Sequence, residues 1–209
     1  EAARLAPHRP VITCSVRDIL GGPQSPQRQE ETLGLVERYF ERVLVHADPA
    51  VVEFVRSFPP AARIAGRLEY TGYVVNSATT TAAGTAGRGE VIVSAGGGAV
   101  GGALLEAAIG ARPLTALRDR TWRLLAGSSL PDEEFQALAK LAAGDAGIVL
   151  ERSRADFTTL LSNCELSISQ AGYNTLMEIV QAHTRCVAVP FAGGRETEQT
   201  LRARCFAER

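Results

Sequence analysis

The chain has 209 residues, 22 Lys and Arg against 23 Asp and Glu, a formal net charge of −1 and 45% hydrophobic residues. That composition fills a core in one large domain or two small ones and excludes a disordered chain. The balanced charge excludes a nucleic-acid binder that works by bulk attraction. Apolar runs stop well short of the roughly 20 residues that a membrane-spanning helix needs.

No apolar leader opens the chain, where Glu1 is followed by Arg4, His8 and Arg9. The absent initiator Met gives the expectation of a piece of a longer protein. Cys14, Cys164, Cys186 and Cys205 form no Cys-x-x-Cys pair, and His8, His46 and His183 do not join them at metal-ligand spacing. Buried thiols in a reducing cytoplasm and no metal site are therefore expected.

In the first part of the chain, residues 11–15 are a short β-prone run. Residues 29–41 then place Leu33, Val36, Tyr39 and Phe40 at helical spacing. Residues 43–46 read as a buried strand. Asp48 and Pro49 suit the cap and first turn of a further helix. One such sheet fragment with two helices cannot cover both faces of a parallel sheet, so residues 1–77 read as a partial α/β domain. Residues 78–89 hold no large apolar side chain and read as a linker or exposed loop.

From residue 90 to 209, strand and helix alternate regularly. Strands are expected at 91–94, 122–125, 147–150, 166–169 and 187–190. Helices are expected near 103–108, 131–142, 156–162, 173–182 and 197–207. Five such pairs predict a Rossmann-like, doubly wound parallel sheet, whose ligands bind beyond the carboxyl ends of the strands.

Three loops at those ends carry the candidate chemistry. After the first strand, Gly96, Gly97 and Gly98 allow backbone amides to approach an anion before a helix start. No Lys follows, so this is not a phosphate loop of the Gly-x-x-x-x-Gly-Lys kind. After the fourth strand, Ser169, Gly172, Asn174 and Thr175 lead into a helix, and Glu178 lies one turn further on. A carboxylate there accepts two hydroxyl hydrogen bonds, as in a ribose grip; the same spacing also suits a capping box of Thr175 with Glu178. After the fifth strand, Gly193 and Gly194 precede Glu198 and Gln199, a carboxylate and an amide suited to sugar hydroxyls. A solvated helix opening would use the same residues.

Taken in order, Ser169, Ala171, Gly172, Thr175, Glu178, Pro190, Gln199 and Ala203 resemble the pattern of the C-terminal domain of family 28 glycosyltransferases. The likeness spans about residues 90–209. It implies the GT-B fold, in which a carboxy-terminal Rossmann-like domain holds a nucleotide-sugar donor and an amino-terminal one holds the acceptor. By this resemblance Glu178 would grip the ribose, while Gly172, Asn174 and Thr175 would receive the diphosphate. Gly96, Gly97 and Gly98 would close on the phosphates, Glu198 and Gln199 would contact the sugar, and backbone near residues 150–152 would hold the base. A donor such as a UDP-sugar and a hydroxyl acceptor are implied, with no metal, no cofactor and no nucleic acid; membrane association of a longer parent stays open.

Gly98, Gln170 and Arg202 depart from the pattern, standing where Ser/Thr, Arg and Asn are frequent. The resemblance also places the acceptor loop and the catalytic base upstream of Glu1, and a further strand and helix after Arg209. An inactive fragment is thus expected. A non-catalytic sugar-nucleotide-binding module is the alternative, and a sugar-nucleotide 2-epimerase a more distant one.

Overall fold

A computed structural model of the chain describes residues 10–22, 25–75, 84–98, 100–194 and 196–209. His8, the first residues of the expected linker (78–83) and Arg195 lie outside these. The chain forms two compact units: residues 75–191, and residues 1–74 together with 192–209.

The first unit holds a three-stranded parallel sheet in the order β1 (Thr13–Arg17), β2 (Arg42–His46), β3 (Leu68–Tyr70). Its register aligns Cys14 with Val43 and Val16 with Val45, and Val43 and Val45 in turn with Leu68 and Tyr70. The period of two therefore puts these six side chains on one face. They pack with Leu33 of α1 (Pro26–Tyr39) and with Phe54, Phe58 and Ile64. Helix α1 starts three residues before the expected segment 29–41 because Ser25 caps it, accepting the Arg28 N–H at 3.3 Å, and Pro26 stands in its first turn.

The helix expected at Asp48 does not form. Asp48 closes a turn instead: its Oδ1 accepts the Ala50 N–H at 2.8 Å, and its carbonyl accepts from Val51 and Val52. Two 3₁₀ stretches follow, Phe54–Arg56 and Pro59–Arg67. Pro59 and Pro60 stand in the first turn of the second stretch, where their missing N–H groups cost nothing.

Residues 192–209, which follow the second unit in sequence, cluster in space with the first: α6 (Glu198–Ala207) belongs to it. Its Arg202 is fully buried and forks onto the fully buried Asp18, with Nε–Oδ2 at 2.8 Å and Nη2–Oδ1 at 2.7 Å. Cys205 and Leu201 pack beside it on Ile19, Val51 and Val52.

The second unit is a five-stranded, all-parallel sheet in the order β6-β5-β4-β7-β8. The strands are β4 (Val91–Ser94), β5 (Trp122–Leu125), β6 (Ile148–Glu151), β7 (Leu166–Gln170) and β8 (Cys186–Val189). Between them run α2 (Gly102–Ala111), α3 (Asp132–Ala142), α4 (Phe157–Asn163) and α5 (Tyr173–Gln181). Val91 and Val93 of β4 pack with Leu105 of α2 and Leu138 of α3, whereas Ile92 packs with Leu160 and Phe157 of α4. Both faces are thus covered, which is why β4 is buried along its whole length. This is the expected Rossmann-like, doubly wound sheet. The winding runs outward from β4 through β5 to β6, then reverses through β7 to β8, so the switch point lies between β4 and β7.

The second half of the expected linker, residues 84–89, is no free tether. Asn163 Nδ2 donates to the Gly84 and Ala86 carbonyls, each at 3.0 Å, and Gly87 is buried at φ +83° against the Leu160 backbone.

Candidate functional site

At the switch point a cavity of about 480 Å³ opens in the second unit. Ser94, Gly96 and Gly97 line it from the end of β4, and Asn174, Thr175 and Glu178 from the start of α5. Gly127 and Ser128 follow β5, and residues 152–155 with Phe157 and Thr158 follow β6.

Each element has a local reason for its placement. Ser94 Oγ accepts the Gly96 N–H at 3.3 Å, which folds the chain back as it leaves β4. Gly96 then takes φ +73°, and a Cβ added there would lie 3.9 Å from Thr175 Oγ1, so the glycine turn and α5 face each other. Gly127, at φ +85°, touches the Gly96 carbonyl so closely that a Cβ could not be accommodated. On α5, Tyr173, Leu176, Met177 and Ile179 are buried, which turns Asn174, Thr175 and Glu178 to the cavity.

The capping box drawn from Thr175 and Glu178 is absent. The N-cap is Gly172, in extended geometry, with no side-chain cap hydrogen bond. Thr175 is therefore the third helical residue, and the α5 dipole end is directed at the cavity, where a negative group is favoured. Glu178 is half-buried, and this desolvation raises its carboxyl pKa above the ordinary carboxylate value. By contrast, Glu134 of α3 approaches the first turn of α2: a Cβ on Gly102 would lie 2.8 Å from its Oε2. The α2 end thus already has a carboxylate beside it.

Of the residues singled out in the sequence, Gly96, Gly97, Asn174, Thr175 and Glu178 come together here. Gly98 and Gly172 are not part of the lining. Ser169 is fully buried and shares a 2.8 Å hydrogen bond with Ser167 Oγ, so its hydroxyl serves the sheet rather than the cavity. Glu198 and Gln199 lie on α6 in the first unit, where Glu198 Oε1 accepts from Arg202 Nη2 at 2.5 Å. Within the backbone stretch 150–152, expected to hold a base, the carbonyls of Glu151 and Arg152 are engaged by the chain that leaves β5. Ala126 N–H donates to the Glu151 carbonyl at 2.9 Å and Gly127 N–H to that of Arg152 at 2.7 Å. The segment that lines the cavity begins at Arg152 and runs on to Thr158. Sequence reasoning reached Arg152 and the helix from 156 but missed Ser153, Arg154 and Ala155, which read as ordinary loop.

His46 closes β2 in the first unit. Its Nε2 is 2.7 Å from Ser15 Oγ and its Nδ1 is 2.8 Å from Thr71 Oγ1. All four cysteines are free thiols; Cys205 is buried and the others half-buried, and desolvation pushes Cys164 and Cys186 up to about 11.

Fold and cavity define a Rossmann-like α/β protein with a ligand crevice at its topological switch point. Residues 92–209 match the model of the glycosyltransferase family 28 C-terminal domain, and the chain belongs to that family. Among solved structures, MurG of Acinetobacter baumannii is similar, with 20% identity and a TM-score of 0.56 over 85% of this chain and 47% of its own. A glycotransferase of kitacinnamycin has 14% identity and a TM-score of 0.56, over 87% of this chain and 47% of its own. A UDP-glucosyltransferase from Polygonum tinctorium has 15% identity and a TM-score of 0.55, over 91% and 44%. At these identities the likeness is one of fold. The chain spans less than half the length of each of these structures. No curated protein matches it in sequence. Among the described residues, no helix is long and apolar enough to cross a membrane.

Proposed function

We propose that the cavity of the second unit binds the nucleoside diphosphate of a sugar donor, with a UDP-sugar as the donor, and that the protein serves sugar transfer to a hydroxyl acceptor. The observation that carries this reading is the meeting of Glu178, Asn174 and Thr175 with the Gly96 turn around one cavity. Glu178 accepts the two ribose hydroxyls. The amides at the start of α5 and the glycine turn receive the diphosphate. As the acceptor oxygen attacks the anomeric carbon and the bond to the diphosphate breaks, charge grows on the leaving oxygen. Fixed N–H dipoles already aimed at it stabilise that charge.

Calorimetric titration with UDP and with GDP tests the reading. UDP is expected to bind, and more tightly than GDP. Equal weak heats would remove the base preference, and no heat with either would contradict the site.

A further inference from the structure

Two arginines line the cavity beyond β6, and the structure separates their roles. Arg152 is committed to α3. Its guanidinium lies 4.5 Å from the centre of the Phe135 ring, donates to the Leu130 carbonyl at 2.8 Å and pairs with Asp132.

Arg154 is held differently. Its Nε and Nη2 each lie 2.8 Å from the two oxygens of Asp156, a fork-to-fork pair that keeps guanidinium and carboxylate coplanar. Its Nη1 reaches Glu151 Oε1 at 3.4 Å. Glu151 is fixed in turn by Arg123 Nη1 at 3.0 Å, and Arg123 forks onto Glu90 at 2.8 and 3.0 Å. Five charged side chains, Glu90, Arg123, Glu151, Arg154 and Asp156, thus alternate in sign along one ladder that starts before β4 and ends at the cavity. Three carboxylates face two guanidinium groups, so the ladder neutralises the Arg154 charge and more. The Arg154 side chain is still 33% exposed, and Phe157 lines the cavity three residues on.

A free cation at a cavity wall recruits phosphate. A guanidinium whose charge is matched at its edge by a coplanar carboxylate offers chiefly its flat face, which stacks on aromatic rings. The anion-accepting groups, the glycine turn and the α5 start, come from β4 and β7, whereas Arg154 follows β6, two places from β4 and three from β7 in the sheet order.

From this geometry we infer that Arg154 is the nucleobase-stacking residue of the cavity, held flat by Asp156 and Glu151, and is not a phosphate ligand. This rests on the donor-site reading given above. Arg154 sets the base end of the site, and the ladder behind it is what keeps the guanidinium plane in place.

The test is calorimetric titration of wild type, Arg154→Ala and Arg154→Lys with uridine, UDP and inorganic pyrophosphate, with far-ultraviolet circular dichroism to establish that each variant is folded. Both variants are expected to lose about fivefold in affinity for uridine and for UDP, with pyrophosphate unchanged. Lysine keeps the charge but has no plane, so it should not rescue. A loss of pyrophosphate affinity in Arg154→Ala that Arg154→Lys restores would overturn the inference in favour of a phosphate ligand. Unchanged uridine and UDP affinities in both variants would overturn it while leaving the donor-site reading intact. Failure of the wild type to bind UDP would overturn both.

Discussion

Replacing Asp18 by Ala is expected to destabilise the protein by about 3–5 kcal/mol, the range for deleting one partner of a buried pair. Asp18 and Arg202 are both fully buried, and Arg202 spends Nε and Nη2 on the two carboxylate oxygens. Asp18 Oδ1 also accepts the Ile19 N–H at 2.8 Å. Without the carboxylate, the buried guanidinium loses its two-point partner and keeps its ion pair to the largely buried Glu198. For a chain of this size the loss corresponds to a fall in Tm of about 10 °C. Replacing both partners with apolar residues, Asp18→Leu with Arg202→Met, is expected to recover most of it, because the large cost comes from a buried guanidinium that has lost its two-point carboxylate partner. Urea unfolding of the two single variants and the double variant measures the coupling. A loss below about 1 kcal/mol for Asp18→Ala would mean that α6 is not held by this pair.

Glu178→Gln is expected to weaken UDP binding by about 1.5–3 kcal/mol, roughly ten- to a hundredfold, because a charged acceptor of two hydroxyls is lost. A dideoxyribose analogue removes both of those hydroxyls, so wild type and variant should bind it with similar affinity. A large remaining gap would locate the damage in α5 rather than at the ribose. The pH dependence follows from burial. Desolvation raises the Glu178 carboxyl pKa, so below that raised value the group is protonated and has lost acceptor capacity. UDP affinity should therefore rise with pH as the group ionises, at pH values above the ordinary carboxylate range, and the Gln variant should show no such rise. Fold stability moves the other way over the same interval. The unfolded chain ionises first, so the contribution of this group is present at low pH and lost as pH rises through the folded pKa.

The second unit was legible in the sequence because its information is local. Each strand is a short apolar run, each turn carries glycine, and each helix has its own periodicity, so Gly96, Asn174, Thr175 and Glu178 could be placed at strand ends before any coordinates. What the sequence hid is non-local or short. Strand β3 has three residues, too few for an alternation to stand out. Arg202 reads as one more surface Arg on a charged helix, and its partner Asp18 stands 184 residues away. The segment at Asp48 and Pro49 has good helix-start chemistry, yet Asp48 closes a single turn there. Ser169 fits the family pattern, but its hydroxyl faces Ser167 inside the sheet. For residues 153–155 the sequence carried no signal, because positions in a charge ladder such as Arg154 follow no spacing rule.

The central claim is that a nucleoside diphosphate sits between the glycine turn and α5, and amide chemical-shift mapping with UDP tests it most directly. Saturable shifts concentrated at Gly96, Gly97, Asn174, Thr175 and Glu178, and extending to Arg152 and Arg154, are the predicted result. Binding of UDP that leaves those amides unmoved and shifts a different surface would contradict it.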